Sequence, residues 1–325
     1  MKKNNNTIYK CKKCNITFSR RDNLLRHLVD VDGIPRKKAL ETLPTPMIGG
    51  RKPNPDSRKK VLEDFVGKDG NRKPIRLNRV YLEPNNKEYT ELALIGDIHF
   101  GHPGCDIEKV KEDIQYCVDN HIYVIGMGDY LEVGLRNSVG DSVYMQEFNP
   151  QEQMEFIVDL LQPLADAGLL IGLHTGNHEG RILKETSVNV VSWMAKALKV
   201  KYLGYACWSL LYVGNQSYTL YSLHGSTGSK HVYTKLKALV DISHSFDADI
   251  TAMGHVHELA EEAILIQKID KSRKIVIELK KYLVLTGSYL RYDDSYAQEK
   301  GYPMCKLGSP IIKLFNENHD IHIST

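Results

Sequence analysis

From Leu92 onward, short apolar runs alternate with longer stretches of helical periodicity, the signature of an α/β layered fold. The runs are LALIG (92–96), IYVIGMG (122–128), LLIGLH (169–174), SYTLYSLH (217–224) and ADITAMG (248–254). Residues 107–120 and 151–167, between the first three runs, are helical by spacing, and 186–198 follows the third with the same pattern. Two alternating stretches, 261–269 and 274–285, flank the polar segment IDKSRK and predict a hairpin that extends a sheet.

Before Leu92 the pattern changes. Residues 34–90 carry prolines at 35, 44, 46, 53 and 55, a Gly49-Gly50 pair and repeated basic clusters. Such composition disfavours a packed core, so the stretch reads as a largely extended linker with short helices around 36–43 and 56–66. The expected division is a small module over 1–33, the linker over 34–90 and a folded body over 91–325.

The 325 residues have a net charge of +3, but that figure conceals a division. Residues 1–90 hold 22 basic and 10 acidic side chains, a net +12, and the remainder holds 21 and 30, a net −9. A basic arm beside an acidic body points to a polyanionic partner for the arm, with steep salt dependence. With 42% hydrophobic residues the body can bury a core, which excludes disorder throughout. No apolar run approaches the ~18 residues of a bilayer-spanning helix, and MKKNNNTIYK lacks the apolar stretch of a secretory signal. The expectation is a cytoplasmic protein (host cytoplasm if phage-encoded), with Cys105, Cys117, Cys207 and Cys305 reduced.

Residues 9–27 read YKCKKCNITFSRRDNLLRH: Cys11 and Cys14 two apart, then twelve residues, then His27. Two thiolates on a turn and an imidazole from a helix can close on one tetrahedral zinc, with Tyr9, Phe18 and Leu24 as a minimal core. The segment resembles a Cys-Cys-His-His zinc finger, of ββα form, as far as His27. The second histidine is missing, and the nearest candidate ligands are Asp30 and Asp32; a water or a zinc shared with another chain would also complete the site. If the helix docks as such fingers do, Arg20, Asn23 and Arg26 would face base edges. A generic phosphate-binding or protein-contacting knob accounts for the same residues equally well.

In the body, each of the five apolar runs ends in metal-ligand residue types. These are Asp97 and His99 in GDIHFGH, Asp129 in GDY, Asn177 and His178 in GNHE, His224 in LHG, and His255 and His257 in GHVH. Ligand sites in α/β sheets gather beyond the carboxyl ends of strands, so five loops would deliver these side chains to one rim. Asp or Asn after a strand is ordinary turn chemistry at any one loop, but that reading does not account for five in order. Two carboxylates, an amide oxygen and several imidazoles suit Mn, Fe or Zn, with Mn preferred, and seven ligands suit two ions rather than one. Glycines before Asp97, Asp129, Asn177 and His255 would allow a tight strand-to-loop turn.

The ordered set D-x-H, G-D, G-N-H-E, H and G-H-x-H resembles the calcineurin-like metallophosphoesterase superfamily, and the span 92–315, including SYAQEKGYP (295–303), is similar to its phage and prophage type. The resemblance implies a two-layer β-sandwich flanked by helices around a dinuclear metal centre. Asp97, His99 and His257 would hold one metal, Asn177, His224 and His255 the other, and Asp129 would bridge them. A metal-activated hydroxide would attack phosphorus in line, with Asp129 and Asn177 holding the metals and His178 assisting the leaving group, tuned by Glu179 or another carboxylate. The phosphoprotein phosphatases of this superfamily have Asp-Arg after the second motif, where this chain has Glu132 and Val133. That departure argues against a protein phosphatase, and Arg136, Arg181 or Arg291 would have to replace the missing arginine. The segments 134–150 and 287–303 look like site walls whose aromatic rings could meet unpaired bases.

The expected function is a phosphodiesterase or nuclease on nucleic acid, DNA first, recruited by the arm. A phosphatase or diesterase of a small nucleotide is the alternative, and a DNA-recruited binding protein with little turnover is a third reading.

Overall fold

The computed structural model describes residues 77–325 apart from 85, 87, 136–143, 145, 227–230, 294–297, 299–300 and 302; of the first 76 residues it describes 9–11, 17–18, 24 and 27–28. The chain divides into two units, Met1–Ile75 and Arg76–Thr325.

In the first unit β1 (Tyr9–Lys10) pairs antiparallel with β2 (Thr17–Phe18). Leu24, His27 and Leu28 are helical, and Cys11, Leu24 and Leu28 are buried. Cys14, Arg20, Asn23, Arg26, Asp30 and Asp32 lie outside the described residues, as do both short helices expected over 36–66.

The second unit is built on two six-stranded sheets. Sheet one runs β14 (Ile321–Ser324), β13 (Ile311–Phe315), β4 (Tyr89–Ile95), β5 (Tyr123–Gly126), β6 (Leu170–His174), β7 (Lys201–Gly204). Strands β4 to β7 are parallel, and β13 and β14 continue the sheet antiparallel. Sheet two runs β11 (Leu259–Asp270), β12 (Ile275–Thr286), β10 (Ile250–Met253), β9 (Gln216–Leu223), β8 (Ala206–Val213), β3 (Leu77–Leu82). The hairpin of β11 and β12 keeps one register over all twelve residues, as the alternating pattern predicted.

The sheets face each other through one core. Leu92, Leu94, Ile125, Met127, Ile312 and Leu314 from sheet one meet Leu211, Val213, Tyr218, Leu220, Ile250 and Val284 from sheet two. Helices α1 (Ile107–Asp119), α2 (Pro150–Asp166) and α4 (Val190–Ala197) cover the outer face of sheet one through Val110, Ile114, Ile157, Leu161, Val191 and Met194. Helix α5 (Val232–Ser243) covers sheet two through Leu239 against Met253 and Leu283. This is the helix-flanked β-sandwich expected from the sequence. Its helix starts are written locally: Asp106 accepts from Lys109 N, and Asn149 with Pro150 and Glu152 forms a reciprocal capping box.

Two boundaries differ from the sequence reading. Residues 77–82, assigned to the linker, form edge strand β3, parallel to β8, with Leu82 only 4% exposed. The hydrogen-bonded edge of β8 outweighs the basic context, and the folded body begins near Arg76 rather than at 91. Residues 77–90 carry two basic and two acidic side chains, so the arm keeps its +12. The stretch read as one helix over 186–198 narrows to α4, and a separate helix α3 (Asn177–Thr186) begins at the GNHE motif itself. Among the described residues, no helix is long and apolar enough to cross a membrane.

Candidate metal centre

The ligand-bearing segments leave the carboxyl ends of β4, β5 and β6 in sheet one and of β9 and β10 in sheet two. GNHE is the exception to the expected loop, since Asn177 and His178 occupy the first turn of α3.

The backbone there is unusual. Asp97, His99, Asp129, His255 and His257 all have left-handed φ, between 50° and 69°. Asp, Asn and His tolerate that region best among residues other than glycine, at a cost of about 1 kcal/mol each. The preceding glycines therefore serve a purpose different from the expected turn, except at Gly128, whose φ is 95°. A Cβ at Gly176 would stand 2.0 Å from Asp129 Oδ1, and one at Gly254 would stand 2.9 Å from Asp97 Oδ2. At both positions glycine makes room for a neighbouring ligand.

Three overlapping groups converge: Asp97, His99 and His257; Asp129, His224 and His255; and His99, Asp129 and His178. In the first, His99 Nε2 lies 3.0 Å from His257 Nε2, and His257 Nε2 lies 3.4 Å from Asp97 Oδ1. In the second, Asp129 Oδ2 is 3.2 Å from His224 Nε2, and Asn177 Oδ1 is 3.0 Å from His224 Nε2 and 2.7 Å from His255 Nδ1. Asp129 stands between the two, its Oδ2 also 3.9 Å from His99 Nε2. All seven residues expected as ligands are thus brought together.

Hydrogen bonds behind the ligands fix their tautomers, as is usual around metals. His99 Nδ1 donates to Glu132 Oε2 at 3.1 Å, and His224 Nδ1 donates to the Met127 carbonyl at 2.9 Å, so both rings present Nε2 to the centre. The His255 amide donates to both Asp97 oxygens, and the His178 amide donates to Asp129 Oδ1. The Glu179 carboxylate accepts from the amides of Asp129, Tyr130, Leu131 and Gly176, pinning the Asp129 turn against the start of α3.

Asp97 and Asp129 are 0% and 1% exposed. Burial alone would raise both carboxyls, but the imidazoles around them hold both below the usual carboxylate range. Burial opposes charge on His224, yet Asp129, its hydrogen bond and Asp97 outweigh it and push that ring up to about 10. Burial pushes His99 down to about 3. Two buried carboxylates among imidazoles demand positive charge, and this donor set fits divalent Mn, Fe or Zn.

His178 lies beside the seven expected ligands. Its Nδ1 donates to the Glu132 carbonyl at 2.6 Å, and Arg181 Nη2 donates to its Nε2 at 3.0 Å. Nε2 is an acceptor here, and burial pushes the ring down to about 4, so a neutral His178 carries its one ring proton on Nδ1, committed to the Glu132 carbonyl, and none on the nitrogen that meets Arg181. The carboxylates beside it are Glu132, 3.5 Å from Nδ1, and Asp129, 4.0 Å from Nε2, rather than Glu179.

Of the three arginine candidates, Arg181 alone meets the site among the described residues: its guanidinium also donates to the carbonyls of Glu132 and Val133. Arg291 is exposed, with its backbone amide on the Gly104 carbonyl, and Arg136 lies outside the described residues. Glu132, read from sequence only as a missing arginine, is 5% exposed and holds His99; nothing in its local motif signals that contact.

No protein-family model matches the chain, and no curated protein matches it. Solved structures that resemble it include a conserved protein from Streptococcus pneumoniae described as a predicted phosphoesterase, at 12% identity and TM-score 0.32, over 74% of this chain and 91% of that one. Vps29 from Entamoeba histolytica, complexed with Zn²⁺, aligns at 16% identity and TM-score 0.32 over 72% and 97%. A hypothetical protein from Thermus thermophilus gives 14% identity and TM-score 0.38 over 72% and 97%. Likenesses this low carry nothing about activity.

The arrangement brings two groups of metal-ligating side chains together around one shared carboxylate, with a guanidinium at its edge. Cys105, Cys117, Cys207 and Cys305 are free thiols, and burial pushes Cys105 and Cys117 up to about 12.

Proposed function

We propose that the protein is a dinuclear-metal-dependent phosphoester hydrolase, a phosphodiesterase or nuclease on nucleic acid that the basic arm recruits. The observation that carries the hydrolase reading is the pair of ligand groups sharing Asp129. Asp97, His99 and His257 would hold one ion, and Asn177, His224 and His255 the other. Two such ions supply Lewis-acid polarisation of a phosphoryl group and an activated water.

The chain's own residues do the rest. Glu132 and the Met127 carbonyl keep the ligand nitrogens aimed at the centre. Arg181, held by His178 and two carbonyls, would place its charge where a phosphoryl or leaving oxygen becomes negative. His178 then acts by positioning Arg181 rather than as a proton donor.

The nucleic-acid part rests on the +12 arm, its finger-like hairpin and the linker's basic clusters. A zinc held by Cys11, Cys14 and His27 belongs to the same reading. A small-nucleotide substrate, with the arm serving only to localise the enzyme, is the alternative.

The test offers purified protein and Mn²⁺ to plasmid, single-stranded oligonucleotide, 2′,3′-cyclic nucleotide and a chromogenic diester, with and without residues 1–75. Loss of polymer cleavage alone on truncation supports the nuclease. Cleavage of small diesters with polymers never cut leaves the small-nucleotide enzyme.

A further inference from the structure

Immediately after His99 the chain builds a second concave feature. Phe100, His102, Lys111, Glu147, Phe148 and Phe156 line a cavity of about 310 Å³, at the lower end of the volumes that take small ligands. Phe100 stacks on Phe156 at 4.0 Å and 7° and on Phe148 at 5.2 Å and 20°, giving three nearly parallel rings. Phe100 is buried, whereas Phe148 is 41% exposed, so the stack ends at solvent on the Phe148 side.

Hydrogen bonds tie the frame to the loops that carry the candidate ligands. The Phe100 amide donates to the Tyr130 carbonyl, and the Phe100 carbonyl accepts from the Glu132 amide. Gln153, fully buried, donates to the Phe148 carbonyl at 2.7 Å and accepts from the Val133 amide at 3.0 Å. It fills the space a side chain at Gly101 would need, so the segment bearing Phe148 is latched to the loop that follows Asp129.

The polar lining has both hydrogen-bonding senses. His102 Nδ1 accepts from the Gly104 amide at 2.9 Å, so the neutral ring carries its proton on Nε2 as a donor. The Lys111 ammonium donates to Glu108 Oε1 at 2.8 Å and has further N–H groups to offer, and the Glu147 carboxylate accepts. A flat heterocycle with mixed donors and acceptors matches this set, and base-on-aromatic stacking tolerates any base.

We propose that this slot holds the nucleobase next to the scissile phosphate, so that the enzyme acts on unpaired nucleotides. The inference rests on the hydrolase reading above and names the substrate feature that the site selects. The base could belong to a polymer or to a free dinucleotide, and both are tested.

The experiment uses full-length protein with Mn²⁺. Substrates are a dinucleotide and a single-stranded oligonucleotide, each with the base on either side of one bond intact or replaced by hydrogen. Wild type should cleave the base-bearing form about tenfold more efficiently in kcat/KM at one of the two positions. Phe148→Ala should bring that ratio close to unity, and His102→Ala should lower it in part. A ratio that is near unity in wild type, or unchanged in Phe148→Ala, overturns the slot while leaving the hydrolase standing. If wild type cleaves neither these nor a chromogenic diester, the hydrolase reading falls. The slot is then judged by fluorescence of a 2-aminopurine oligonucleotide, which wild type should quench by stacking and Phe148→Ala should not; equal signals overturn it. Discrimination in the dinucleotide but not in the oligonucleotide assigns the slot to small substrates and overturns its polymer form.

Discussion

Arg181 Nη2 donates to Nε2 of His178 across 3.0 Å, while the other nitrogen of that ring donates to the Glu132 carbonyl. Both nitrogens are committed, so the imidazole is a neutral strut and the nearby positive charge belongs to the guanidinium. Arg181→Ala should lower kcat on a diester by about a hundredfold, with both metals retained. His178→Ala should give a similar loss, because Arg181 loses its support, and the double variant should be little worse than either single one. Losses that multiply in the double variant would show that His178 acts independently, as a proton donor would.

Gly176→Ala tests the crowding behind Asp129. A Cβ there stands 2.0 Å from Asp129 Oδ1 and 2.2 Å from its amide, so the carboxylate must move. Metal affinity should fall by about 10–100-fold, the range seen when a ligand's support is disturbed. Gly168→Ala is the comparison: its φ is 71°, and a Cβ there meets nothing within 4 Å. It should cost about 1 kcal/mol of stability and leave metal content unchanged by elemental analysis.

Metal binding should release a proton from His224. Its folded value, about 10, lies above the ordinary 6.5, so the metal-free ring stays charged through neutral pH, and the stability it contributes is full below about 6.5 and is lost as pH rises from there to 10. A metal needs the lone pair that this proton occupies. Affinity should therefore rise by about tenfold per pH unit across the neutral range, with about one proton released per protein. His99, pushed down to about 3, is already neutral and contributes none. Calorimetry in buffers of different ionisation enthalpy reads the count, and a flat pH profile would refute the assignment.

Truncation should distinguish the two boundaries. Removing residues 1–75 leaves β3 intact, and the body should melt within a few degrees of the full chain. Removing residues 1–90 deletes β3, its parallel pairing with β8, the buried Leu82 and the start of β4. That body should melt about 10 °C lower or fail to fold. Equal melting of the two truncations would mean that β3 contributes nothing.

The candidate metal centre is legible because each ligand-type residue stands at the end of an apolar run, and strand ends are where a layered fold collects such groups. Glu132 is not, because its value lies in a contact with His99, 33 residues away, that only the folded chain makes. Arg181 stood among three candidates and was singled out by helix geometry, three residues after His178 on the first turns of α3. Strand β3 was hidden by its surroundings: LNRVYL has the alternation of an edge strand, but basic and proline-rich sequence precedes it. The left-handed backbone at five ligands leaves no mark in sequence beyond the Asp and His types themselves.

The ligands come from both halves of the sandwich, with Asp97, His99, Asp129 and Asn177 rooted in one sheet and His224, His255 and His257 in the other. Ions shared among them would act as rivets through the seam. Each sheet keeps its own ladder of hydrogen bonds without them, but relative sliding of the two sheets would be arrested only in the loaded state. Chelation should therefore loosen the Leu94–Leu220–Val284 interlayer packing before it frays any strand.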